Sequence, residues 1–237
     1  MENSFSEKKM LGVIGGMGPL ATKLFYEMII EKTDAKTDQD NVDMLILSDA
    51  SMPDRTGAIL SGATGPVRDR MLRDANILKN AGCSAVAVTC NTAHYFVDMI
   101  EEEADIKFIH MIRETAKELQ KKFEGKRVAI LATDGTIKTE LYQREMIKYG
   151  VEPYAPPEEI QKKVMHTIYG LIKQNKPADW KLWDSIEIGC LDGGCDGAVL
   201  ACTELSVVRK QLSLSKSFYV DPMEVLAEKC LEFCGVR

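Results

Sequence analysis

Histidine is scarce in this chain: His94, His110 and His166 are the three in 237 residues. They are scattered, and no Cys-x-x-Cys occurs, so the common zinc ligand patterns are excluded. No apolar run approaches the roughly 18–20 residues needed to cross a bilayer, which argues against a membrane partner. The first residues, MENSFSEKKM, carry charge but lead into no apolar segment with a small-residue cleavage site, so no signal peptide is expected. There is no basic tract and the net charge is −6, which argues against nucleic acid as a partner. No low-complexity linker divides the chain. Seven cysteines, an odd number, fit reduced thiols in the cytoplasm better than a disulfide framework.

What is present centres on Ser84–Phe96, SAVAVTCNTAHYF. Ala85–Thr89 is small and β-branched, the signature of a strand buried on both faces. Cys90-Asn91-Thr92 then stands where such a strand hands over to a helix, the edge at which open α/β sheets bind ligands. A matching arrangement occurs in Asp196–Leu205, DGAVLACTEL, with Cys202-Thr203-Glu204 after its strand. Two cysteines at the ends of two matching strands suggest one site built by two related halves.

The rest of the chain fits that idea. Lys9–Gly15 predicts a strand, Gly16-Met17-Gly18-Pro19 a turn, and Leu24, Met28 and Ile29 a helix. Val42–Ser48 predicts a second strand. The Gly- and Pro-containing stretch that follows reads as a long functional loop, before a helix over Arg68–Ala81. The pattern restarts at Lys126–Leu131, with a turn over Ala132–Thr136 and a helix over Ile137–Tyr149. A helix from Pro156 through Lys173 and another over Trp180–Leu191 precede the Cys202 strand, and Phe218–Val220 and Pro222–Cys234 close the chain. Alternating strands and helices imply an α/β fold of two Rossmann-like halves with parallel sheets. The expected division is 1–112 plus 212–237 against 113–211, with the site in the cleft between.

Several chemistries compete for these residues. GGMGPLA matches the dinucleotide fingerprint, with Asp49 as the acidic partner, though Asp49 falls about ten residues beyond its usual place. The same turn serves equally as a nest of amide N–H groups, those of Met17 and Gly18 included, for a carboxylate. A single activated cysteine would call for a base, and His94 follows Cys90 by four residues; a histidine packed on a helix face is the plainer reading. Two thiols facing one another suit a different task, removing a proton from one face of a carbon and returning one to the other. A helix N-terminus lowers a thiol pKa from about 8.5 toward neutrality, which favours a thiol/thiolate pair. Cys83, Cys190, Cys195, Cys230 and Cys234 read as buried small apolar groups.

IGGMGPLAT, MPDRT, TCNTAH and ACTEL, in this order and spanning nearly the whole chain, resemble the aspartate/glutamate racemase superfamily. The Gly16-Met17-Gly18 turn and Cys202-Thr203-Glu204 look more like its aspartate racemases than like its glutamate racemases. The resemblance implies catalysis without pyridoxal phosphate, metal or other cofactor, on an acidic amino acid, with Cys90 and Cys202 as the two acid/bases. It implies that Arg55 of Met52–Thr56 binds a substrate carboxylate, as does a lysine on a second-half helix, here Lys173 in preference to Lys163. Asn91, Thr92, Thr133, Thr136, Thr203 and the turn amides would complete the cradle, with Glu204 orienting or deprotonating Cys202. A homodimer is expected. The alternatives are a broad-specificity racemase acting on glutamate or homoserine, and a non-catalytic amino-acid-binding protein of the same fold.

Overall fold

The computed structural model describes residues 8–236. The reading of the leader rests mainly on residues 1–7, which lie outside the described residues. The first half runs β1 (Leu11–Gly15), α1 (Pro19–Lys32), β2 (Met44–Ser48), α2 (Arg55–Ser61), α3 (Gly65–Asn80), β3 (Ala85–Val88), α4 (His94–Ala104), β4 (Phe108–Ile109) and α5 (Met111–Phe123). The second runs β5 (Arg127–Ala132), α6 (Asp134–Lys138), α7 (Leu141–Lys148), β6 (Glu152–Tyr154), α8 (Glu158–Met165), α9 (Trp180–Asp192), β7 (Gly197–Ala201), α10 (Thr203–Leu212), β8 (Tyr219–Val220) and α11 (Pro222–Cys234).

Each half folds around one parallel sheet, and both sheets have the same order, β2-β1-β3-β4 and β6-β5-β7-β8. The chain leaves β1 to one side for β2 and returns to the other for β3, and β5, β6 and β7 repeat the move. Each sheet therefore has a topological switch point at the carboxyl ends of its central strands, where ligands of open α/β sheets sit. The turns at those four ends carry Gly16–Pro19, Cys90, Thr133 and Cys202. β1, β3 and β7 are buried at every position, as their small and β-branched residues demand. One apolar core joins Leu11, Val13 and Ala87 of the first sheet to Leu131, Ala198 and Leu200 of the second.

Four local expectations change. The loop after β2 contains a helix, α2, because Asp54 caps it, its Oδ1 accepting from the Gly57 amide at 2.6 Å. The helix expected over Ile137–Tyr149 is two, α6 and α7, broken where Glu140 takes φ +54°. The helix expected through Lys173 leaves α geometry at His166, runs as a π-helical turn over His166–Leu171 and ends in a 3-10 turn, Ile172–Gln174. Finally, β8 pairs with β7, Ala198 opposite Tyr219, so it completes the second sheet. The α11 helix after it lies against α1 and α5, and residues after 212 are thus shared between the halves.

Candidate active site

Cys90 follows the buried Thr89, whose hydroxyl lies 3.0 Å from that of Thr22 on α1. The Cys90 carbonyl lies 2.8 Å from His94 Nδ1, while His94 Nε2 accepts from the Met111 amide at 3.2 Å. Because Nε2 accepts a backbone N–H, the ring carries its proton on Nδ1 and donates it to Cys90. Burial pushes the His94 pKa down to about 4, so the ring is neutral at physiological pH. Both nitrogens are occupied, and His94 acts as a spacer under the Cys90 turn.

Cys202 is the N-cap residue of α10, in extended conformation. Its thiol donates to Glu204 Oε2 at 2.9 Å, and Lys173 Nζ donates to Glu204 Oε1 at 2.5 Å. Burial pushes the Cys202 thiol well above its ordinary pKa, and the Glu204 carboxylate adds to this. Burial disfavours the Lys173 ammonium, but Glu204 and the sulfurs of Cys202 and Cys90 outweigh it and raise its pKa. Gly18 completes this side: a Cβ there would stand 3.0 Å from Glu204 Oε1 and 3.9 Å from Lys173 Nζ.

Arg55, the first residue of α2, stands on the other side. Its guanidinium is buried and donates through Nη1 to the Met52 and Pro53 carbonyls, at 3.3 and 3.0 Å, and through Nη2 to that of Met17, at 3.0 Å. Burial opposes its charge, while the Cys90 sulfur and Asp54 favour it and raise its pKa. Its Nε is buried with no hydrogen-bond partner among the described residues. So is Nδ2 of Asn91, whose Oδ1 accepts from the Tyr142 hydroxyl at 2.5 Å. Buried donors without acceptors are costly, at about 1–3 kcal/mol each, and two of them beside one cysteine fit an anionic guest.

Three hydroxyls close the floor between the halves. Thr92 Oγ1 lies 2.9 Å from both Thr133 Oγ1 and Thr136 Oγ1, which are 3.2 Å apart. Thr203 donates to the Thr89 carbonyl at 3.3 Å and so ties the Cys202 turn to the Cys90 strand. Above lies a cavity of about 390 Å³ lined by Gly16–Ala21, Arg55, Lys173 and Glu204. Gly16 permits its first turn, since at φ +84° a Cβ would meet the Asp49 and Ala50 backbone at 2.6 Å. The cysteines, each 6% exposed, are not among the residues that line it, although their neighbours Arg55, Lys173 and Glu204 are. A larger hollow of about 490 Å³ among α1, α10 and α11 is lined by ion pairs and holds neither cysteine.

The profile of the Asp/Glu/Hydantoin racemase family matches residues 14–230. The chain belongs to this family. It is similar to an aspartate racemase of Picrophilus torridus, at 30% identity and TM-score 0.79 over 97% of this chain and 95% of that one. It is also similar to a broad specificity amino-acid racemase of Bacillus subtilis, 26% identical over 204 residues, covering 84% of this chain and 87% of the other. A glutamate racemase of Francisella tularensis, 16% identical, shares the fold at TM-score 0.69 over 95% of this chain and 80% of that one.

In this racemase Met17, Gly18, Arg55, Lys173 and Glu204, singled out from the sequence, line the cavity of about 390 Å³, while Cys90, Asn91, Thr92, Thr133, Thr136, Cys202 and Thr203 do not. Lys173 and Glu204 are paired with each other rather than presented singly, because two opposite charges buried together pair. Lys163 pairs instead with Glu159 on α8. Asp49, the candidate ribose ligand, is clamped by Arg70 and Arg73, at 2.5 and 3.0 Å. Sequence reasoning missed Tyr142 and Asp54. Tyr142 gives no local signal, whereas Asp54 stands inside the MPDRT motif and was readable as a helix cap.

Proposed function

We propose that this racemase interconverts L- and D-aspartate without a cofactor, with Cys90 and Cys202 as the two acid/bases on opposite faces of the α-carbon. The observation that carries the reading is the pair of cysteines at equivalent strand ends with unlike charged partners, Arg55 beside one and Glu204–Lys173 beside the other. One sulfur lies beside the Arg55 guanidinium; the other is a thiol already donating to Glu204. One thiolate and one thiol are what a two-base proton exchange needs at its start. A sulfur on one face takes the α-proton, the other delivers its own, and the pair is left with roles exchanged.

The α-proton of an amino acid is far less acidic than a thiol, so the site must stabilise the carbanion as it forms. The N–H of Arg55 Nε and the Asn91 amide group, buried donors without a partner among the described residues, would hold carboxylate oxygens, on which that charge collects. Met17 and Gly18 amides and the Thr92–Thr133–Thr136 hydroxyls would complete the cradle, and the buried position of both sulfurs keeps water away. The cations Arg55 and Lys173 favour an acidic side chain. A second reading, a broader amino-acid racemase, is supported by the likeness to the Bacillus subtilis protein.

The reading also includes a cytoplasmic homodimer. Seven free cysteines fit a reducing compartment, and the exposed Tyr26 and Ile30 of α1 and Leu45 of edge strand β2 offer apolar surface to a second copy. Light scattering tests the dimer. Incubation of a panel of L-amino acids in deuterium oxide, followed by circular dichroism and proton NMR, tests the reaction. Aspartate should lose optical activity and its α-proton together, faster than the others; an unexchanged α-proton would sink the proposal.

A further inference from the structure

Tyr169 belongs to none of the groups just described, yet it touches both sides of the cleft. It lies in the π-helical turn His166–Leu171, where its hydroxyl donates to Asp54 Oδ2 at 3.1 Å. Asp54 thus uses both oxygens, one to start α2 at Gly57 and one on the opposite half of the molecule. The residue after it is Arg55. On its own side, the Tyr169 ring lies under Lys173, whose ammonium stands 5.6 Å from the ring centroid. Burial raises the Tyr169 pKa to about 12, so the hydroxyl keeps its proton to donate.

The backbone is shaped for this contact. π turns are rare and concentrate at functional sites, because the extra residue per turn re-aims the side chains that follow. Gly170 leaves room for the His166 ring, since a Cβ there would stand 2.5 Å from His166 Nδ1 and the ring would have to move. Lys173 follows in the 3-10 turn that ends the segment, with its ammonium near the Tyr169 ring and paired with Glu204.

We infer that Tyr169 is a positioning residue that fixes the span between Arg55 and Lys173, and through it the length of acidic side chain the site prefers. The inference rests on the proposed reaction with an acidic amino acid. Arg55 is carried by the first half and Lys173 by the second, so their separation depends on what ties α2 to the π turn. Tyr169 is such a tie, placed next to both cations rather than at a distant contact.

The test compares Tyr169→Phe, Asp54→Ser and the double variant. Serine still caps a helix but is too short to reach the hydroxyl of Tyr169. KM for aspartate should rise about fivefold in each, more than kcat falls, on the scale of one ordinary net hydrogen bond. The preference for aspartate over glutamate in kcat/KM should narrow by a similar factor. The double variant should match the singles, since both remove one interaction. Hydrogen exchange of the amides of α2 and of the π turn should quicken in all three. Faster exchange with an unchanged aspartate/glutamate ratio, or losses that add in the double variant, would overturn the inference. Wild-type protein that racemises neither substrate would instead overturn the reaction on which it rests.

Discussion

Glu204→Gln separates two roles that the Cys202–Glu204–Lys173 chain combines. The substitution keeps the shape and the oxygen but removes the negative charge that stands 2.9 Å from the Cys202 sulfur. With Glu204 present, forming a thiolate at Cys202 puts two negative charges side by side. With glutamine, the thiolate would face Lys173 alone. Two unit charges about 4 Å apart interact by about 4 kcal/mol at an effective dielectric of 20. Lys173 offsets part of this in the native protein, so about half is a reasonable working value, and removing the charge should bring the Cys202 thiol down from its raised pKa. The thiolate absorbance of the Cys90→Ala background should therefore rise at lower pH when Glu204 is glutamine. In the protein with both cysteines, the alkaline limb of the pH–rate profile should move down by a similar amount, because the state with two thiolates is reached sooner. An unchanged Cys202 titration, or one moved upward, would show that Glu204 does not act on the thiol as its geometry suggests.

Other outcomes follow from the same geometry. Replacing Cys90 or Cys202 by Ala should abolish racemisation, while one-sided α-proton exchange with solvent survives for one enantiomer; a Cys202→Ala enzyme racemising at the native rate would end the two-thiol mechanism. Arg55→Lys should lower kcat/KM for aspartate by a factor corresponding to about 2–5 kcal/mol, the scale for a desolvated charge contact, and asparagine or alanine should suffer less. Equal losses across those substrates would assign Arg55 a structural role or the α-carboxylate. Iodoacetamide should inactivate the enzyme and saturating aspartate should protect it, with peptide mapping placing the label on Cys90 or Cys202 rather than on the other five. His94, held neutral with a pKa near 4 against 6.5 when exposed, should stabilise the fold above about pH 6.5 and lose that contribution as pH falls toward 4, since only the unfolded chain then takes the proton. By about pH 5 the loss from this residue is about 2 kcal/mol, measurable by urea unfolding.

The sequence revealed the strands because a strand buried on both faces has a local signature, and Ala85–Val88 and Gly197–Ala201 carry it. From there the carboxyl-edge rule points to Cys90 and Cys202 with no knowledge of packing. Arg55 was legible through its motif. The pairing of Lys173 with Glu204, 31 residues away, was not, nor was that of Tyr142 with Asn91, 51 away. Side-chain partners so separated depend on tertiary packing, within the second half for Lys173 and Glu204 and between the halves for Tyr142 and Asn91, which periodicity does not encode. The π turn escaped for another reason: Ile160, Val164 and Ile168 continue an α-helical spacing right into it, and the departure begins only at His166.

The unlike settings of the two sulfurs, a guanidinium beside Cys90 and a carboxylate–ammonium pair beside Cys202, have a thermodynamic boundary. Mirror-image amino acids have identical free energies in water, so a racemase leaves an equilibrium constant of one, whatever its own asymmetry. The ratio kcat/KM must then be the same in the two directions. If the charges around one sulfur make its enantiomer turn over faster, that enantiomer must also bind more weakly by the same factor. Handedness in the surroundings can thus redistribute rate between binding and turnover, while the composition of the mixture at the end of the reaction stays even.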